Sequence, residues 1–225
     1  MEVLKNEQAA QNEIKSGAEK VESVIESSPT NKAVIFPPEK KARRKCTLSD
    51  EMVKMLIYQM AHELENHNMY KTFAAYFYRN DLSKLGIYYD ERAAEENVHH
   101  QWIYNYLTEC DAEFTYPQVP AINLDITDHV MPFRLTVDKE IETTLGINQI
   151  VNRAAEEGDW ATFTFLLGDD PKTGKLVLEQ REEESVSRTI LGMAEMEGSW
   201  LRKQNSILEF YRNPESIQPD RKSVV

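Results

Sequence analysis

The chain has 225 residues and a formal net charge of −12, with 41% hydrophobic and 28% charged residues. That balance suits one full-sized folded domain with a substantial core and a well-solvated surface. An acidic chain repels nucleic acids and anionic membranes, so we expect neither as a partner, whereas metal cations suit it. No apolar run approaches the ~20 residues that span a bilayer, and the N-terminus lacks an apolar signal segment.

The two cysteines, Cys46 and Cys110, do not form a C-x-x-C pair. That excludes a zinc ribbon and a rubredoxin module, and it is typical of a protein kept in a reducing compartment. We therefore expect a cytoplasmic location.

Residues 1–46 are polar and poor in aromatic side chains, which predicts a disordered N-terminal extension. Their basic run at 40–45 favours a solvated linker, with a nucleic-acid tether as the alternative. A folded domain is predicted over 47–212, followed by a polar tail at 213–225.

The folded domain is predicted to be all-α. Helical periodicity indicates segments at about 50–79, 82–108, 136–157, 160–196 and 199–211. Thr47 or Ser49 can cap the first helix, and Asp159 can cap the fourth after the stop at Gly158.

Two stretches without helical period separate these segments. Residues 109–132 contain three prolines and predict a long connection, with 121–124 as a possible extended piece. The fourth helix is interrupted at Gly168–Gly174, whose proline and two glycines disfavour a continuous helix. We expect this segment to bulge outward and the helix to resume by about Leu176. The result is a four-helix bundle with one long crossover and a short fifth helix.

The 3.6-residue period selects the inward positions of each helix. In the first two helices these are Met52, Leu56, Gln59, Glu63, Tyr70, Phe73 and Phe77, then Leu85, Tyr89, Arg92, Glu96, His99, Ile103 and Leu107. In the next two they are Val137, Glu140, Thr144, Ile147 and Val151, then Leu176, Gln180, Glu183, Val186, Ile190 and Ala194.

Each inward stripe therefore carries one glutamate: Glu63, Glu96, Glu140 and Glu183. Burying an unpaired carboxylate costs several kcal/mol, so four on one core need compensation. Arg92 could neutralise one of them. A pair of multivalent cations, bridged by shared carboxylates, is the simplest way to balance the negative charge of the other glutamates.

Glu96 and His99 lie three residues apart on one helix, so both can point at one metal ion. A lone E-x-x-H pattern arises often by chance, and a lone histidine is more often a hydrogen-bonded core residue than a ligand. An inward glutamate on each of four helices, one of them with a histidine three residues on, favours a metal site. Carboxylate and imidazole ligands with open positions suit iron that reacts with dioxygen.

From about Asp50 to Thr189 the chain resembles a bacterial non-haem ferritin, a member of the ferritin-like di-iron carboxylate family, with weaker similarity through Tyr211. The segments that carry the resemblance are 51–70, 94–99, Glu140 with 147–148, 158–163 and 179–184. The resemblance implies a ferritin-like bundle.

The resemblance also implies roles for particular residues. Glu63, Glu96 and His99 resemble the first iron site, and Glu96, Glu140 and Glu183 resemble the second, with Glu96 bridging. The resemblance also implies that Gln180 is the polar side chain beside the second iron site and that Tyr70 is the tyrosine of the paired site. It further implies an accessory third iron site formed by Glu95, Glu179, Glu182 and Glu183.

The implied function is iron storage and detoxification by a ferroxidase. Two Fe(II) ions would be oxidised together, with electrons passing to dioxygen or peroxide and the ferric product entering a mineral core. The implied assembly is a hollow shell of twenty-four identical subunits without haem. Val186 stands where bacterioferritin, rubrerythrin and the ribonucleotide reductase small subunit would carry a second E-x-x-H histidine, which argues against those families.

Two other interpretations stay open at the level of sequence. One is a ferritin-like structural or interaction protein that docks through its N-terminal extension. The other is a di-iron oxidoreductase that never forms a cage.

Overall fold

The computed structural model describes residues 46–168 and 176–213, and it shows no strand within them. Its helices are α1 (Asp50–Arg79), α2 (Ser83–Glu109), α3 (Met131–Glu157), α4 (Trp160–Leu167), α5 (Leu176–Glu195) and α6 (Trp200–Arg212). Within those ranges, none of these helices is apolar over a long enough stretch to cross a bilayer. The all-α prediction is confirmed, while the predicted N-terminal extension and C-terminal tail fall almost wholly outside the described residues.

Helices α1 and α2 pack along each other as a hairpin, joined by a short turn at 80–82. The Ser49 hydroxyl accepts a hydrogen bond from the Met52 amide at 3.0 Å, so Ser49 rather than Thr47 caps α1. Asp159 caps α4 as predicted, because its carboxylate accepts from the Thr162 amide at 3.1 Å.

The crossover between α2 and α3 is irregular, and the predicted extended piece at 121–124 forms no strand. Helix α3 begins at Met131, five residues earlier than predicted. The sequence interpretation was wrong here because it assigned Pro132 to the connection, whereas proline is well tolerated in a first helical turn. The Asp128 carboxylate accepts from the amides of Val130 and Met131 at 2.7 and 2.8 Å, which supports the earlier start.

Helices α4 and α5 occupy the chain position of the fourth bundle helix. Helix α4 ends before Gly168 and α5 begins at Leu176, where the helix was predicted to resume. Residues 169–175 lie outside the described residues, so the predicted outward bulge stays a prediction. Helix α5 packs on α3, and α6 packs on α2 and α5.

The bundle buries two apolar clusters with a polar layer between them. The cluster at one end is rich in aromatic side chains, including Tyr70, Phe73, Phe77, Tyr88, Tyr89 and Phe133. The cluster at the other end is mostly aliphatic, including Leu56, Met60, Ile103, Leu107, Ile147 and Ile150. Every inward position predicted for α1 and α2 is buried.

The predicted inward face of α3 was wrong at two positions. Thr144 and Val151 are only half-buried, whereas Thr143, Ile150 and Ala154 are buried. Helix α3 packs on α1, α4 and α5, so its buried face is set by three neighbours and is displaced from the positions chosen by spacing alone.

Candidate metal centre

Four helices contribute acidic side chains to the polar layer: Glu63 from α1, Glu96 from α2, Glu140 from α3 and Glu183 from α5. One ligand atom from each of Glu63, Glu96 and His99 lies within 4.8 Å of the other two. Glu96, Glu140 and Glu183 form a second group with the same spacing. Glu96 belongs to both groups, so it is placed to bridge two neighbouring cations.

These groups are buried and incompletely hydrogen-bonded. Glu63 and Glu140 are 0% exposed, Glu96 is 1% exposed and His99 is 4% exposed. Atoms without a hydrogen-bond partner are Glu63 Oε2, both carboxylate oxygens of Glu96, His99 Nδ1 and Glu183 Oε2. A buried polar atom without a partner is costly, and these atoms converge where a cation would satisfy them. The donor set therefore fits metal ions.

Arg92 is the positive group within the second set of carboxylates, and it is 2% exposed. Its Nη2 lies 2.5 Å from Glu140 Oε1 and 3.7 Å from Glu96 Oε1. Its Nη1 lies 3.1 Å from Glu183 Oε1 and 2.9 Å from Glu95 Oε2. The sequence predicted that Arg92 would neutralise one carboxylate, and the structure shows it in contact with four.

Glu140 has hydrogen bonds on both oxygens. Its Oε1 accepts from the Tyr70 hydroxyl at 2.5 Å as well as from Arg92. Its Oε2 accepts from Gln180 Nε2 at 2.7 Å. Tyr70 and Gln180 therefore hold the Glu140 carboxylate in one orientation.

The first group has two outer partners. Gln59 Nε2 donates to Glu63 Oε1 at 2.7 Å, which leaves the other oxygen free. His99 Nε2 lies 3.2 Å from Glu179 Oε2, so Nδ1 remains on the side that faces Glu96 Oε2, at 3.8 Å. This arrangement fixes which nitrogen of His99 is available as a ligand.

Burial and mutual repulsion shift the acidities of these groups. Burial raises the pKa of Glu63 and raises that of Glu183 to about 8. Burial alone would raise the pKa of Glu96, but the close approach and positive charge of His99, together with the charge of Arg92, prevail and hold this pKa at about 2. Despite burial, Glu183 and Glu179 raise the pKa of His99 well above 6.5. The site thus binds protons where cations are absent.

Residues 53–193 match the family model for the ferritin-like domain, which covers more than half of the chain. The chain belongs to the ferritin family.

Curated relatives and solved structures agree with this membership. The ferritin chain is 29% identical over 151 residues to the bacterial non-haem ferritin of Campylobacter jejuni, spanning 67% of this chain and 86% of that protein. It is 29% identical over 142 residues to that of Staphylococcus aureus, spanning 63% and 81%.

Solved ferritin structures share the fold. The Chlorobium tepidum ferritin superposes with a TM-score of 0.62 at 23% identity, covering 79% of this chain and 99% of that chain. A humanized archaeal ferritin gives 0.65 at 22% identity, covering 72% and 94%. An open pore ferritin from Archaeoglobus fulgidus gives 0.65 at 23% identity, covering 72% and 96%. The ferritin-like bundle predicted from the sequence is confirmed.

The acids predicted as an accessory site lie around the paired groups of this ferritin. Glu95 contacts Arg92 and its side chain is 44% exposed, while Glu179 contacts His99 and is 34% exposed. Glu182 is exposed on α5, and within the described residues its side chain takes part in no hydrogen bond or ion pair. The structure thus places Glu95 and Glu179 against the paired site and leaves Glu182 on the surface.

The sequence did not reveal a buried polar set that links α1 and α3 near the candidate metal centre. Thr143 Oγ1 lies 2.9 Å from His62 Nε2 and 3.1 Å from Asn66 Nδ2. All three residues are buried. A signal existed, because His62 and Asn66 lie one helical turn apart on α1, but the inward position on α3 had been assigned to Thr144 instead of Thr143.

Proposed function

We propose that this ferritin stores iron and oxidises Fe(II) at two adjacent positions, one bounded by Glu63, Glu96 and His99 and the other by Glu96, Glu140 and Glu183. The observation that supports this most strongly is the set of unpartnered, buried oxygens and the imidazole nitrogen that converge there. Ferric product would collect inside a shell built from copies of the chain. Iron is the substrate and cargo, and no haem is required.

The proposed chemistry follows from the shared carboxylate. With Glu96 between them, two Fe(II) ions lie close enough to give up one electron each in a concerted reaction. One dioxygen accepts both electrons and, with two protons, leaves as hydrogen peroxide, which can serve as the oxidant in its turn. The protein supplies ligands, excludes bulk water and holds Glu140 in place through Tyr70 and Gln180.

The test is a stopped-flow measurement on apoprotein that has been loaded anaerobically with Fe(II) and mixed with oxygen. We expect a fast phase of about two irons per subunit. Glu96→Gln should remove this phase, because the lost carboxylate belongs to both positions. Glu142→Gln is the matched control, since its side chain on α3 is 56% exposed and belongs to neither ligand group. A fast phase of unchanged amplitude in Glu96→Gln would contradict the assignment.

The proposed assembly is a shell of twenty-four subunits in the cytoplasm. Size-exclusion chromatography with light scattering and iron analysis distinguishes a storage shell from a non-cage oxidoreductase and from a structural protein. A large iron-containing particle supports storage, a dimer that oxidises iron supports a non-cage oxidoreductase, and a large particle without oxidation supports a structural role.

We also propose that Glu95, Glu179 and Glu182 pass iron to or from the paired site. Glu95 and Glu179 are partly exposed and contact Arg92 and His99, which supports this role, and Glu182 is exposed on the same helix as Glu179. The double variant Glu179→Ala, Glu182→Ala should keep two-metal binding but change the ratio of iron oxidised to oxygen consumed. A variant that matches the wild type in that ratio and in turnover would contradict the proposal.

A further inference from the structure

The two candidate metal positions differ in how many of their ligand atoms are already occupied. In the first position each member offers a free atom: Glu63 Oε2, both oxygens of Glu96 and His99 Nδ1. In the second position both oxygens of Glu140 are hydrogen-bonded and Glu183 Oε1 is paired with Arg92, so its only unpartnered atoms are Glu183 Oε2 and the shared Glu96 oxygens. Every member of the first position thus offers an atom to a cation, whereas the carboxylates of the second already pair with a positive side chain.

The cation in the second position is the guanidinium of Arg92. It reaches Glu140 at 2.5 Å, Glu183 at 3.1 Å and Glu96 at 3.7 Å, which are the three carboxylates of that group. Among the ion pairs of the described residues, none joins Arg92 to Glu63 or His99. Two cations that need the same buried oxygens repel each other strongly, because the surroundings screen charge poorly.

We propose that Arg92 is an internal counter-cation that competes with the second metal ion, so that the two positions fill unequally. The first position, at Glu63, Glu96 and His99, fills first. The second fills only when the guanidinium leaves Glu140 and Glu183. This inference rests on the proposed function, because it takes both positions to be iron sites.

The structure provides a place for the displaced guanidinium. Its Nη1 already lies 2.9 Å from Glu95 Oε2, and the Glu95 side chain is 44% exposed. Arg92 can keep this ion pair while it moves outward from the buried carboxylates. Glu95 then acts as the partner that lowers the cost of opening the second position.

The experiment is an anaerobic titration of the full-length apoprotein with Co(II), followed by calorimetry and visible absorption. For the wild type we expect one tight Co(II) per subunit and a second whose dissociation constant is at least about tenfold larger, equivalent to ~1.4 kcal/mol. Arg92→Gln should lower the second constant at least about tenfold and change the first less. Arg92→Lys keeps the positive charge and is the matched control, in which the second position should stay weak.

Three other outcomes of the titration would contradict either the role of Arg92 or the proposed function. An unchanged or weaker second position in Arg92→Gln would show that Arg92 positions the carboxylates and does not compete with metal. Two equal affinities in the wild type would overturn the inference and leave the proposed function intact. A wild type that binds Co(II) at neither position would overturn both.

A second measurement uses only the wild type, in case the Arg92 variants do not fold. Crystals soaked at low and at high Co(II) should show an anomalous peak first beside Glu63 and His99. A second peak should appear only with the Arg92 side chain moved off Glu140. A second peak with Arg92 still paired to both Glu140 and Glu183 would overturn the proposal.

Discussion

The two ends of the bundle core and the layer between them bury different kinds of side chain. At both ends, apolar side chains fill the interior, with aromatic rings at one end and mainly aliphatic side chains at the other. In the middle, the same inward stripes carry four glutamates, a histidine and an arginine. Helix periodicity turns all of these residues inward, so the chemistry of the side chains alone makes the ends an apolar core and the middle layer a candidate metal centre.

The comparison shows where stability and function separate in this fold. Packing at the ends contributes favourable burial of apolar surface, and the unpartnered polar atoms there are neutral hydroxyls, those of Tyr88 and Tyr211. The middle layer buries charge that is incompletely paired, which destabilises the metal-free protein but leaves ligands ready for cations. Changes at the ends should therefore lower stability and leave metal binding intact, while changes in the middle should alter metal binding and the pH dependence of stability.

The largest expected effect on stability is at the aromatic end. Phe77 is 0% exposed and stacks on Tyr89 with ring centroids 5.6 Å apart. Phe77→Ala should lower the free energy of unfolding by about 3–5 kcal/mol, because it leaves a cavity in a packed cluster. Chemical denaturation of the apoprotein measures this change. Lys54→Ala, at an α1 side chain that is 73% exposed, should stay within about 0.5 kcal/mol.

Phe77→Ala should also bind the same number of metal ions per folded subunit as the wild type. Loss of metal binding under conditions where the variant is folded would show that the two regions are not separable.

The next largest effect is a pH dependence of the free energy of unfolding, which arises from the buried acids of the middle layer. Burial raises the pKa of Glu183 from 4.5 to about 8. Between these values the folded protein holds a proton that the unfolded chain has released, so the free energy of unfolding falls as pH rises through this window. The raised pKa of His99 acts in the same direction above 6.5.

Calorimetry of the metal-free protein should therefore show that the midpoint temperature of unfolding decreases as the pH is raised from about 5 to 8. In Glu183→Gln this fall should be shallower, because the titrating carboxyl is gone. Saturating divalent metal should oppose the fall in the wild type, since metal binds the deprotonated ligands. A metal-free wild type whose stability rises over this window would contradict the account of the buried acids.

The smallest effect is expected outside both regions, at the start of α4. Asp159 accepts from the Thr162 amide at 3.1 Å and from its hydroxyl at 2.5 Å. Asp159→Ala should cost about 1 kcal/mol of stability, the usual effect of losing an N-cap. Thermal unfolding measures the loss, and the two metal affinities should not change. A change in either affinity would show that α4 is coupled to the metal centre.

The sequence predicted the features that depend on local spacing. The inward faces of α1 and α2 and the cap at Asp159 follow from periodicity and capping chemistry, and the structure confirms them. The start of α3 was missed because Pro132 reads equally as a loop residue or as a first-turn residue.

The partners within the site depend on distances between helices, which spacing along one helix does not contain. That is why the contacts of Arg92 with four carboxylates and of Thr143 with His62 emerged only from the structure. Glu63 and Glu140 were recognisable singly, because a carboxylate stands out on an apolar stripe. Which of the four carboxylates come within reach of the same cation depends on the assembled bundle.

The most direct test of the central claim is anomalous diffraction at the iron edge from crystals soaked anaerobically with Fe(II). The account predicts two iron peaks per subunit, one contacting Glu63, Glu96 and His99 and the other contacting Glu96, Glu140 and Glu183, with Glu96 shared. Iron found only at surface acids, or a polar layer that remains without iron at saturating Fe(II), would contradict it.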